Sequence, residues 1–207
     1  MYGGGYVAGT TKVEITGGNA NGGSQNDYGG GMYNEASNPS LENVTISGNS
    51  ATYYGGGMLN YNSSPSLVNV TISGNSATEL GGGMFNNWGS NPTVINCTFS
   101  GNSAPQGGGI INLFSNPTVT NCTFSSNSVG GWGGAIHNDM MSGGTAIESC
   151  TFTANSAGYG GGIYNGDDAT MQIYHTTFER NTGAYGGALR NDGQIHYGMN
   201  LTFTQNS

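Results

Sequence analysis

The sequence predicts an all-β protein, a right-handed parallel β-helix of about eight coils, each of about 26 residues with three short strands. Three observations predict it. A glycine block recurs at a nearly fixed interval, a block built on Thr and Asn recurs in step with it, and the segments between them carry alternating apolar and polar residues of strand character.

The glycine block reads GGGMYN from Gly29, GGGMLN from Gly55, GGGMFN from Gly81 and GGGIIN from Gly107. It continues as GGAIHN from Gly133, GGGIYN from Gly160 and GGALRN from Gly186, so the starts advance by 26, 26, 26, 26, 27 and 26 residues. The second block, T-[IF]-x-x-N, begins at Thr45, Thr71, Thr98, Thr123, Thr151, Thr177 and Thr202. A degenerate first copy lies at Gly3 to Ala8, and Thr16 to Asp27 holds a Gly/Asn-rich insertion. A unit of this length is too short for a propeller blade or a two-helix repeat. It fits a coil of short strands, each pairing in parallel with its equivalent about 4.8 Å along the axis, so that eight coils make a rod roughly 38 Å long.

Comparing equivalent positions gives the direction of each side chain. The residue after the glycines is always aliphatic (Met32, Met58, Met84, Ile110, Ile136, Ile163, Leu189) and is assigned to the interior. Ile46, Ile72, Phe99, Phe124, Phe152, Phe178 and Phe203 form a second interior row, with Val44, Val70, Cys97, Cys122 and Cys150 beside it. Leu41, Leu67, Val94, Val119, Ile147 and Ile173 supply the third wall. Glycine serves the turns because it adopts positive φ without steric cost. Asn34 with its equivalents through Asn191, and Asn49 with its equivalents through Asn206, should form two amide ladders along the rod, each amide both donating and accepting.

Composition narrows the function. The chain has 207 residues, of which 40 are glycine, and it carries three basic against eleven acidic groups for a net charge of −8. So few cations (Lys12, Arg180, Arg190) cannot neutralise a phosphate backbone or dock on anionic lipid, so nucleic acid is not an expected partner. No apolar run is long enough for a membrane helix, and no signal peptide is visible, so membrane insertion by this segment is not expected. Residues 1–207 read as one β-helix domain. Neither end carries an evident cap over the open strand edges, which suggests a window of a longer protein or a filament subunit that self-associates.

Gly133-Gly134-Ala135-Ile136 and Gly186-Gly187-Ala188-Leu189, together with the Phe-x-x-Asn segments at Phe99, Phe124, Phe152, Phe178 and Phe203, resemble the repeats of chlamydial-type polymorphic outer-membrane proteins. Ile46 and Ile72 replace Phe in the earlier coils, and Gly there replaces Ala. The resemblance implies a secreted or cell-surface passenger of structural or adhesive role, and its motifs specify coil geometry rather than an activity.

The candidate surfaces follow from the outward positions. Tyr33, Leu59, Phe85 and Ile111 would align four large apolar groups, a candidate interaction stripe for another chain, a flanking repeat or a glycan, or simply a stabilising stack. Thr45, Thr71, Thr98, Thr123, Thr151 and Thr202 present a T-x-[ST] file similar to the faces of ice-binding β-helices, though Thr is also an ordinary exposed strand residue. Asn43, Asn69, Asn96, Asn121 and Asn200 lie in N-x-T sequons, joined by Asn62-Ser63-Ser64, and are candidate glycosylation sites if they face solvent. Cys97, Cys122 and Cys150 share one column and read as buried free thiols, or as one adjacent-coil disulfide with a thiol left over. Asp139, Asp167, Asp168 and Asp192 lie near one turn, with a weak Ca²⁺ site conceivable at Asp167 and Asp168. No column stacks Asp with Arg or His, so no catalytic residues, metal or cofactor are assigned, and a carbohydrate lyase or hydrolase ranks below the structural and ice-binding readings.

Overall fold

The computed structural model describes residues 13–21, 27–140 and 143–207, so Lys12 and the degenerate copy at Gly3 to Ala8 lie outside the described residues, as does part of the insertion. The strands stack into three long parallel sheets. The first has eight strands, from Val13–Thr16 to Thr202–Thr204; the second has seven, from Met32–Glu35 to Leu189–Asn191; the third has seven, from Ser40–Glu42 to Gln194–Met199. Every pairing is parallel and nearly all join one coil to the next without slippage, as in Met58 to Met84 to Ile110. This is a β-solenoid with roughly 26 residues per turn.

The interior is layered as the columns require. Met58, Met84, Ile110, Ile136 and Ile163 from the second sheet meet Ile46, Ile72, Phe99, Phe124, Phe152 and Phe178 from the first, with Leu67, Val94, Val119, Ile147 and Ile173 from the third closing the triangle. Phe99, Phe124, Phe152, Phe178 and Phe203 form a continuous ring stack with centroids 4.8–5.2 Å apart and planes within 12° of parallel. Ladder spacing imposes this geometry, because in-register strands place identical rings one strand separation apart.

Both amide ladders are present. In the first, Asn34 Nδ2 donates to Asn60 Oδ1, Asn60 to Asn86, Asn86 to Asn112 and Asn112 to Asn138, each at 2.8 Å. The next bond, Asn138 to Asn165, lengthens to 3.5 Å. This is where one coil has 27 residues: the third sheet shifts register between Gly143 and Thr145, and Thr145 Oγ1 donates to Asn138 Oδ1 at 3.2 Å. The extra residue is absorbed as a bulge, and the polar group it brings inward is satisfied on the ladder.

The path differs from three strands per coil in one respect. A short fourth line runs through Asn19–Ala20, Ser50–Ala51 and Ser76–Ala77, is reduced to single bridges at Ser103 and Ser128, and widens again at Ser156–Tyr159 and Thr182–Tyr185. It lies between the Asn49-type ladder and the glycine block. Gly82 shows why glycine is needed there: a Cβ would stand 2.5 Å from the Ser103 carbonyl oxygen of the next coil. Gly81 just before it has φ of +68°, which a side chain would strain.

Candidate functional site

Tyr33, Leu59, Phe85 and Ile111 do point outward from the second sheet in register, but the expected exposed stripe does not form. Leu59, Phe85 and Ile111 are buried, and with Leu113 they make a second apolar cluster covered by Tyr28, Tyr54 and Leu80; only Tyr33 is exposed. The cause is the segment entering each glycine block, which bridges from Tyr28 to Tyr54 to Leu80 to Gln106 and roofs the sheet's outer face. Where the roof begins, a cleft of about 170 Å³ is lined by Tyr28, Tyr33, Tyr54, Tyr61, Leu59, Phe85 and Asn87. Burial first, then the Glu35 carboxylate beside it, pushes the Tyr33 hydroxyl up to about 12.

In the next coils the same outward column changes chemistry. Ile111 is followed by His137, Tyr164 and Arg190, paired strand to strand. Two residues further on, and therefore on the same face, stand Asp139 and Asp192. Arg190 Nε donates to Asp192 Oδ1 at 2.6 Å. His137 Nε2 lies 3.5 Å from Asp139 Oδ2, and the imidazole beside it holds the Asp139 carboxyl below its ordinary value. His137 is only 2% exposed, and its Nδ1 has no hydrogen-bond partner. Burial, then the Asp192 carboxylate, pushes the Tyr164 hydroxyl up to about 12. The roof here is aromatic: Trp132 stacks on Tyr159 at 5.9 Å and Tyr159 on Tyr185 at 4.7 Å. Sequence reasoning found no column joining Asp with Arg or His and missed this cluster. The signal was present as His137-x-Asp139 and Arg190-x-Asp192, because alternate residues of a strand share a face.

A third feature lies at the corner after the second sheet. There the chain turns through positive φ at Ala36, Asn62, Trp88, Phe114 and Met140. Trp88, Phe114 and Met140 are 61%, 42% and 48% exposed, and Tyr61, Trp88 and Phe114 sit ring to ring at 6.4 and 5.9 Å. Left-handed backbone at a bulky side chain costs roughly 1–2 kcal/mol per residue. Three consecutive coils therefore carry strain to hold a large apolar group in water, at a corner where Asn62 shows that a better-suited residue fits.

Three stretches, residues 96–112, 121–139 and 149–166, match the family described as the Chlamydia polymorphic membrane protein repeat. The chain is thus a β-solenoid repeat protein similar to the Chlamydia polymorphic membrane proteins. No curated protein and no solved structure matches it. Each polymorphic-membrane-protein match begins at the corner before a first-sheet strand and ends on or just beyond a second-sheet strand, so each spans a Phe-x-x-Asn turn and a glycine block.

The three matched repeats also carry the thiol column. Cys97, Cys122 and Cys150 are free and buried. Each backbone N–H of one coil meets the sulfur of the next, Val70 to Cys97, Cys97 to Cys122 and Cys122 to Cys150, all at 3.4 Å; Thr176 Oγ1 takes the sulfur's place one coil later. Each thiol also donates to a nearby carbonyl, as Cys97 Sγ does to Ile95 O at 3.2 Å. The thiols thus work as hydroxyl-like connectors as well as small apolar fillers. Hydrogen bonding between neighbouring thiols and then burial raise Cys97 well above its ordinary value and push Cys122 up to about 12, which keeps both protonated and unreactive.

The threonine file is in register from Thr45 through Thr71, Thr98, Thr123, Thr151 and Thr177 to Thr202. Its first member Thr45 is buried and has Glu14 rather than a Thr on the side away from Thr71, and Glu179 breaks the companion file opposite Thr153. Asn43, Asn69, Asn96, Asn121 and Asn200 occupy exposed corners at φ of 54–56°, so all five side chains are open to solvent. Asp167 and Asp168 are exposed in a turn, and among the described residues no group of three or more His, Cys, Asp or Glu side chains is arranged to hold a metal ion.

Proposed function

We propose that the chain is an extracellular structural and adhesive β-solenoid at the cell surface, a stiff rod that presents the Tyr61–Trp88–Phe114–Met140 corner as its binding edge. The observation that carries this reading is the exposure of Trp88, Phe114 and Met140 at positive φ in consecutive coils. Strain of this kind persists where the surrounding structure enforces it and clusters at functional surfaces. Aromatic and Met side chains are the types enriched at the centres of protein interfaces. The match to repeats of a membrane protein family supports a surface location. The threonine file favours ice binding through its register alone, and Glu179 in the companion file weighs against it.

The test replaces the two aromatic corner residues by the residue that coil two already uses. Trp88→Asn with Phe114→Asn should keep or raise thermal stability, because Asn tolerates the left-handed region, while lost ring contacts offset part of the gain. Protein-coated beads should then detach from cultured epithelial monolayers at about one tenth of the wild-type force, as expected when interface anchors are removed. Equal retention of wild-type and doubly substituted beads would remove the corner from the reading. Wild-type beads that do not adhere would leave a scaffold without an adhesive role.

A further inference from the structure

We infer that the outer face of the second sheet in its last three coils, around His137, Tyr164 and Arg190, is a binding subsite for a neutral glycan. This goes beyond the adhesive reading and does not rest on the corner ridge, whose Met140 borders the face next to Asp139.

The second sheet's outward column has one structural solution in coils two to four, where Leu59, Phe85 and Ile111 are buried under a roof of Tyr28, Tyr54 and Leu80. The scaffold and roof continue into the following coils, but the column becomes His137, Tyr164 and Arg190, with Asp139 and Asp192 on the same face. A purely structural role would be met by continuing the apolar filling. Polar groups under a roof cost free energy unless they are paired, and this cluster is only partly paired. His137 is 2% exposed; its Nε2 approaches the Asp139 carboxylate at 3.5 Å while Nδ1 has no hydrogen-bond partner, an exception among the buried polar groups of a fold whose amide ladders are otherwise satisfied. The part-exposed Asp139, Asp192 and Arg190 beside this imidazole and the Tyr164 phenol offer donors and acceptors that a hydroxyl-rich ligand would bridge.

An aromatic wall borders this cluster. Trp132, Tyr159 and Tyr185 form a row along the rod axis, one ring per coil; Trp132 and Tyr185 are 38% and 55% exposed. One face or edge of each ring thus remains open while the row is held by its own stacking. Aromatic groups with a few convergent polar groups are the usual lining of a small-molecule site. Rings repeating at the strand spacing suit a ligand that also repeats flat apolar faces along an extended chain, with hydroxyls at the edges for Asp139, Asp192, Arg190 and Tyr164. That chemistry is an oligosaccharide's.

Charge selects among glycans. The one cation of the cluster, Arg190, is already bonded to Asp192, two carboxylates flank it, and the chain as a whole carries −8. Uronate-rich, sulfated and phosphate-bearing chains are disfavoured on this face, and neutral hexoses or N-acetylhexosamines are accepted.

The experiment uses the full chain in a Trp88→Asn background, which leaves Trp132 as the only indole, since the chain has two tryptophans. Cellohexaose, mannohexaose, chitohexaose and hexagalacturonate are titrated while Trp132 emission is followed. The proposal expects a saturable change with at least one neutral hexasaccharide, none with hexagalacturonate, and about tenfold weaker binding, near 1.4 kcal/mol, after Tyr185→Ala or Asp192→Asn. Tyr185 is more than half exposed, so its truncation should leave the melting temperature nearly unchanged, and Asp192→Asn keeps the side chain's shape. Silence with every neutral hexasaccharide at millimolar concentration overturns the proposal. So does binding that neither substitution weakens, or an emission change that follows protein concentration rather than sugar, which would mark this face as a contact between copies. Beads that still adhere while no sugar binds would sink this site and leave the corner ridge standing.

Discussion

Asn127 is the clearest case of one side chain holding several backbone groups at once. Its Oδ1 accepts from the backbone N–H of Asn102 and from Asn102 Nδ2 at 3.1 and 3.0 Å. Its Nδ2 donates to Phe99 O at 3.0 Å and to Asn155 Oδ1 at 2.9 Å. It is fully buried, so water cannot replace any of these. Asn127→Ala should therefore cost about 2–4 kcal/mol, since it leaves several buried groups unsatisfied at once. A urea titration against wild type checks this, and a loss within error of zero would mean that the ladder contributes geometry without stability. The ladder itself was legible from sequence, because Asn at the same place in every coil has no simpler explanation. That each amide also caps the carbonyl of a neighbouring coil's Phe or Ile was not, since it depends on the turn conformation.

At the scale of elements, the glycine block sets how closely the short fourth line packs on the second sheet. Gly82 faces Ser103 N and O and Gly108 O within 2.5–2.7 Å of where a Cβ would stand, and all of these are backbone atoms that cannot swing aside. Gly82→Ala should cost about 2 kcal/mol through overpacking. Gly74→Ala separates the two roles of glycine: nothing lies within 4 Å of its missing Cβ, so any cost comes from its φ of +61° alone. Thermal melts of the two variants should rank Gly82→Ala as the more damaging, and the reverse order would mean that backbone strain outweighs close approach. The sheets, their order and their register could be read from the repeat. The roof could not: Tyr28, Tyr54, Trp132, Tyr159 and Tyr185 do recur just before the glycine blocks, with Leu80 and Gln106 between them, but only the path of the chain shows that this line folds over the outer face of the second sheet. For that reason Leu59, Phe85 and Ile111 were expected on the surface and lie beneath it.

Over the whole molecule, charge is sparse and acidic, so pH acts through few groups. Tyr33 on the first strand of the second sheet and Tyr164 on its last but one are four coils or more apart, and both hydroxyls are raised from 10.0 to about 12. Each is favoured neutral in the folded chain. The stability this contributes is complete below the unfolded value of about 10 and is lost as pH rises through the folded value. Urea midpoints measured across that alkaline window should fall for wild type and fall less for the protein with Tyr33→Phe and Tyr164→Phe. Parallel curves for the two proteins would show that neither hydroxyl is coupled to folding. A solenoid in which each coil contacts only its neighbours should feel the two substitutions independently, so their effects should add.

The sequence by itself determined the solenoid, the layering of its core and the two amide ladders, because each is a consequence of identical residues recurring at one spacing in a chain whose coils pair in register. Tertiary structure alone decided which outward residues meet water. Exposure depends on what lies above a face, and the roof line covers Leu59, Phe85 and Ile111 while the corner leaves Trp88, Phe114 and Met140 open. It also decided that His137, Asp139, Arg190 and Asp192 share one face as a cluster, since stacking brings together residues that are about 50 positions apart in the chain and occupy two columns of the repeat two residues apart.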